Sequence, residues 1–196
     1  NIHSQGKNNP MSRRFNRPII AACIGSFCFT FAYGAPNAFL RIYGASIGLT
    51  VEIIGLIVAA AGGASAVFRI PMGMLMDRIR NRVSFLTVAL GTCTVAVILA
   101  PWLESIWLLM AVMAILGVDT AIVTIAAATI IAETSGDPSR GLAMGVYWTF
   151  FYGGFGAGGA FAGLSISTLG FQGGFALTSG VAIIGIVLLN LLAKIR

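Results

Sequence analysis

The chain has 196 residues, 58% of them hydrophobic and 9% charged, with a formal net charge of +6. A soluble domain carries about a quarter charged residues, so this composition excludes a soluble globular fold and points to a chain whose solvent is a lipid bilayer. The basic residues sit beside apolar segments, which makes the positive balance a topology signal and excludes nucleic acid as the partner it serves.

Residues 1–17, NIHSQGKNNPMSRRFNR, are polar and basic and contain no apolar run fit for a signal sequence. They read as a cytoplasmic tail or linker, with Met11 an internal residue or a start behind added residues. The rest, 18–196, reads as a transmembrane bundle. A bilayer core needs about 20 apolar residues per helix, and such runs occur at roughly 18–42, 51–72, 83–103, 105–131, 141–166 and 171–193. The pattern predicts six helices and an all-α membrane protein. A barrel requires alternating apolar and polar residues, and these runs are apolar on every side.

Orientation follows from Lys and Arg, which hold short loops in the cytoplasm. Lys7, Arg13, Arg14 and Arg17 precede helix 1, Arg69, Arg78, Arg80 and Arg82 surround the second loop, Arg140 precedes helix 5, and Lys194 and Arg196 follow helix 6. Only Arg41 falls on the other side, so both termini are expected in the cytoplasm, with the bundle in an inner membrane.

In helix 1, Tyr33, Asn37 and Arg41 recur every four residues and share one side. Gly34 and Pro36 are expected to interrupt the helix at that depth. Arg41 has two readings: it snorkels to the outer surface, or it turns inward to meet an anionic group. In helix 4, Asp119 lies near the middle of an apolar run, where an aspartate is disfavoured by about 2.5–3.5 kcal/mol. It therefore requires a wet cavity or a partner, either as a site of proton or cation coupling or as a hydrogen-bonded link between helices. Thr120 and Thr124 lie close by without sharing its face equally. In helix 5, Tyr152 is a candidate solute contact, and Tyr147 and Trp148 fit an interfacial aromatic belt as well as a solute contact.

Several chemistries are excluded. The only histidine is His3, so no Ser–His dyad and no histidine metal site is available within the membrane. Cys23, Cys28 and Cys93 lack paired spacing and read as small core residues. GFGAGG at 154–159 matches a dinucleotide pattern, but no strand precedes it, so its glycines serve close helix packing. There is no phosphate-binding loop, and the chain is expected to be no enzyme, with no cofactor and no metal.

One stretch remains. GMLMDRIRNR, Gly73 to Arg82, interrupts two apolar runs with an acid and three arginines. Gly73, Asp77, Arg78 and Arg82, in the order G-x-x-x-D-R-x-x-x-R after a second helix, resemble the cytoplasmic signature of the major facilitator superfamily, with Arg80 standing where that family usually has a second glycine. FRIP at 68–71, SRGLAMGVYW at 139–148 and LGFQGGF at 169–175 resemble other elements of the family. Gly154, Gly158 and Gly163 echo the antiporter glycine motif, but Gly159 replaces its proline and antiport is not implied. The resemblance implies one six-helix half of a transporter, built as a 3+3 inverted repeat; a ninety-residue shift places Gly55 on Gly145 and Gly63 on Gly153. It also implies that helices 1 and 4 face the central pathway, where Asn37, Arg41 and Asp119 would converge.

The expected function is secondary transport, with symport as one form, of a small solute by alternating access, an organic anion if Arg41 turns inward. A second six-helix half or a second copy of the chain, as a dimer, would supply the other wall. The expected conformational latch is Gly73, Asp77, Arg78, Arg82, Glu133 and Arg140, in which Glu133 or Asp137 pairs with Arg78 or Arg82. The alternative is a non-transporting membrane subunit that docks to a partner through glycine-rich faces of helices 2 and 5.

Overall fold

The computed structural model describes residues 17–78, 82–135 and 137–194, and every long element in it is helical: α1 (Arg17–Ser46), α2 (Val51–Arg78), α3 (Arg82–Leu99), α4 (Ile106–Thr134) and α5 (Asp137–Lys194), with a short 3-10 turn at Ala100–Trp102. Among the described residues, five helices are long and apolar enough to cross a membrane. With no water in the bilayer core, only structures that satisfy each backbone group internally can span it, and that requirement makes an apolar run helical. The proposed tail at 1–16 and the loop residue Arg80 lie outside the described residues.

Helix ends follow local chemistry. Gly48, at φ 81°, closes α1: its amide donates to Ala45 O at 3.1 Å and Leu49 N donates to Gly44 O at 2.9 Å, the left-handed glycine stop that satisfies carbonyls left orphaned at a helix end. Pro101 sits in the turn that ends α3, where its missing amide loses nothing.

Three boundaries differ from the sequence reading. α2 runs six residues beyond the apolar stretch, so Gly73, Asp77 and Arg78 form its last turns rather than a loop; of these six residues only Gly73 is a poor helix former, and Arg78 complements the negative end of the helix dipole. Pro36 does not interrupt α1, which continues unbroken from Arg17 to Ser46. α5 is 58 residues long, with helical backbone throughout except Gly170 at φ 72°, ψ 179°. A straight helix of that length would reach about 87 Å at 1.5 Å per residue, far beyond a 30 Å hydrocarbon core.

The contacts show how α5 is accommodated. Its first arm, 137–169, runs parallel to α1: Phe150 meets Phe27, Gly154 lies on Thr30, Gly158 on Phe31 and Gly163 on Phe39. The second arm, 171–194, runs the other way: Phe171 packs on Tyr43 at a centroid distance of 5.4 Å, Gly185 on Cys28 and Leu189 on Gly25. The chain therefore doubles back at Gly170. Its backbone lies in a region essentially restricted to glycine, so Gly170→Ala is expected to destabilise the bundle by about 1–3 kcal/mol in thermal unfolding; an unchanged midpoint would remove the strain argument.

α1 is the central span and α2 the peripheral one: 72% of the most apolar window of α1 is buried, against 22% for α2. α1 packs against both arms of α5, against α3 and against α4, while α2 packs chiefly against α4. Cys23, Cys28 and Cys93 are buried free thiols in this core.

Candidate functional site

A cavity of about 230 Å³ lies between α1, α2 and α4, lined by Tyr33, Pro36, Asn37, Leu40, Val58, Ala61, Gly62 and Met113. The α1 residues repeat at three and four positions and so form one stripe, and Val58, Ala61 and Gly62 do the same on α2. Gly62 has open space where a side chain would stand. Tyr33 is held by its ring, 6.0 Å from Phe29 and 5.5 Å from Phe155 between centroids. Among the described residues, neither the Tyr33 hydroxyl nor the Asn37 amide has a hydrogen-bond partner. Of the three polar side chains predicted on one side of helix 1, buried Tyr33 and exposed Asn37 line this cavity, and Arg41, also exposed, is not among its lining residues.

The face of α4 that meets α2 is set by Gly117. A β-carbon there would stand 2.8 Å from the carbonyl carbon of Ala61 and closer still to its oxygen, so the two backbones are in direct contact. Asp119 is two residues further on, about 200° around the helix, and points away from α2. It is 3% exposed, and Thr92 Oγ1 on α3 donates to its Oδ1 at 2.7 Å, while Oδ2 has no hydrogen-bond partner. Asp119 therefore does not share the cavity with Tyr33 and Asn37, although it is the buried acid with a partner that the sequence demanded. Thr120, half-buried, lies one turn past Gly117, and its hydroxyl donates to Leu116 O at 2.8 Å. Tyr152 is 65% exposed and stacks on Trp148, on the outer face of α5.

At the end of the bundle where α2 gives way to α3, Arg82 Nη1 donates to Glu133 Oε2, the only salt bridge among the described residues. Arg140 Nη2 donates to Ala132 O at 2.8 Å. Two cations from the starts of α3 and α5 thus meet the C-terminal end of α4, where its dipole favours positive charge. Asp77 and Arg78 are exposed on the last turn of α2 and make no ion pair among the described residues. The Glu133 side chain is 58% exposed, so a double-mutant cycle of Arg82→Gln and Glu133→Gln is expected to return a coupling of only about 0.5–1 kcal/mol.

The sequence reading missed the α2 wall, Met113 and the Thr92 partner of Asp119. Gly62–Gly63 was the available signal for the wall, because adjacent glycines in an apolar helix leave one side open. Thr92 carried no signal beyond being a hydroxyl in an apolar helix at matching depth.

No curated protein matches the sequence at a significant level. The family model of the Major Facilitator Superfamily matches residues 22–195, which take in α2 with its exposed Asp77–Arg78 end, the cavity and both arms of α5. The chain belongs to the Major Facilitator Superfamily, whose members are multi-pass membrane transporters.

Proposed function

We propose that this chain is one half of a secondary transporter that moves a small solute by alternating access, with α1, α2 and α4 forming one wall of the pathway. The observation that carries the proposal is the cavity lined by Tyr33 and Asn37 among apolar residues: a few polar residues in an apolar concavity are the usual makeup of a small-molecule site. A single bundle provides one wall, so a second copy or a second six-helix half supplies the other.

The arrangement of helices supports a bundle of six crossings in a 3+3 inverted repeat. The reversal at Gly170 gives α5 two arms of opposite direction. The two tightest backbone approaches, Gly158 of α5 on α1 and Gly117 of α4 on α2, are exchanged when helix 1 is matched with helix 4 and helix 2 with helix 5. In this reading both termini and the Asp77 end of α2 face the cytoplasm across an inner membrane. Asp119 is the coupling site of a symporter, acting through the α3–α4 contact. Arg82, Glu133 and Arg140 are the fixed side of a latch whose moving part is Gly73, Asp77 and Arg78 on α2, and Asp77→Asn is expected to shift the balance of conformers.

The test is accessibility of the cavity from both faces. Gly62→Cys should react with a membrane-impermeant maleimide in right-side-out and in inside-out vesicles alike, against a background of three buried native thiols. Labelling from one face only, under all conditions tried, would reject alternating access and favour a non-transporting subunit.

A further inference from the structure

The chemistry of the cavity separates by helix. Its two hydrogen-bonding side chains, Tyr33 and Asn37, both stand on α1, while α2 and α4 contribute Val58, Ala61, Gly62 and Met113; Pro36 and Leu40 complete an apolar surround. None of the lining residues carries a charge. The ionisable groups that sequence spacing had drawn toward this site are elsewhere: Arg41 is exposed on α1 outside the lining, and Asp119 is turned to Thr92 on α3.

That distribution selects against ions. A charged solute entering here gives up its water for a wall with no counter-charge, whereas a neutral head group exchanges water for partners that both donate and accept. A hydroxyl on Tyr33 and an amide on Asn37 match an amide, alcohol or similar head. The aliphatic side chains opposite match a hydrocarbon body. At about 30 Å³ per water, the volume against this wall takes about eight water-sized groups, room for a head on a four- or five-carbon chain.

We propose that the solute held between α1, α2 and α4 is uncharged and amphipathic, a compact aliphatic body whose hydrogen-bonding head is engaged by Tyr33 and Asn37. This rests on the transport reading above and replaces an organic anion as the solute expected of it. Specificity then comes from the missing counter-charge as much as from the contacts made.

Three probes of one size test it: pentanamide, pentanoate and pentylammonium, each titrated against the full chain in lipid nanodiscs with thermal unfolding as the readout. Pentanamide is expected to raise the midpoint saturably, with an apparent affinity at least tenfold above either ion. Asn37→Leu should weaken pentanamide about fivefold, the effect of losing one hydrogen bond. Gly62→Leu, which grows a side chain into the open space, should abolish the shift while the variant still elutes as a folded species. The proposal is overturned if either ion binds as tightly as the amide, if Gly62→Leu leaves amide binding intact, or if the folded chain responds to none of the three.

The Gly62→Cys labelling described above keeps the two readings apart. Labelling from both faces without amide preference leaves transport standing and rejects the neutral solute. Amide preference with labelling from a single face rejects transport and retains the site.

Discussion

Gly117→Ala is expected to destabilise the bundle by about 3 kcal/mol, the upper end of the range for overpacked interiors. The new methyl meets the backbone carbonyl of Ala61 rather than the tip of a flexible side chain, so relief requires α2 and α4 to move apart. Gly158→Ala makes the same collision with the Phe31 backbone, 2.7 Å from its carbonyl carbon, and is expected to have a similar effect on the α1–α5 contact. Membrane helices gain no hydrophobic attraction from one another, so close approach of backbones is much of what holds them together, and loss of that approach is felt in full. Gly63→Ala and Gly153→Ala are the controls: both positions face open space, and each should be neutral or stabilising by up to about 1 kcal/mol from helix propensity. Thermal unfolding of the four variants in one detergent decides the matter, and equal midpoints across the set would remove the close-packing account.

The second large effect is expected at Asp119. Thr92→Val alone should destabilise by about 1–3 kcal/mol, because it removes the donor to a buried carboxyl and leaves that group unsatisfied. The double variant Thr92→Val/Asp119→Leu should restore most of the loss, since removing both partners of a buried polar pair leaves neither one orphaned. In the proposed role as a coupling site, Asp119→Asn should keep the fold, because its amide oxygen still accepts from Thr92, while abolishing ion-driven accumulation of solute and sparing exchange across the membrane. Measuring accumulation and counterflow in the same vesicles separates the two steps. Accumulation equal to wild type in Asp119→Asn would reduce Asp119 to a structural link between α3 and α4.

These expectations show which layers of the molecule were readable in one dimension. The helices were, because a run of apolar residues without polar alternation has one way to satisfy its backbone in lipid. The membrane class and the family resemblance followed from the same runs and from Gly73, Asp77, Arg78 and Arg82. Boundaries were less readable: hydropathy ended the second helix at 72, but hydrogen bonding carried it to Arg78, because helix propensity does not stop where apolarity does. Pro36 was read as a break and proved compatible with a continuous α1, since proline removes only its own amide from the ladder and neighbouring helices support the remainder.

Residue spacing placed Tyr33, Asn37 and Arg41 on one side of α1, because four-residue periodicity is a property of the chain itself; Tyr33 and Asn37 line one cavity and Arg41 lies outside its lining. It did not determine which way α4 turns. That rotation is decided by Gly117, the point where α4 can touch the Ala61 backbone, and once that contact is made Asp119 must face α3. The sequence by itself determined that the chain lives in a bilayer, that it is helical, and which residues share a helix face. Only the tertiary structure decided which faces meet, that the long α5 reverses at Gly170, and that the cavity wall is free of charge, because helix rotation depends on contacts between segments far apart in the chain.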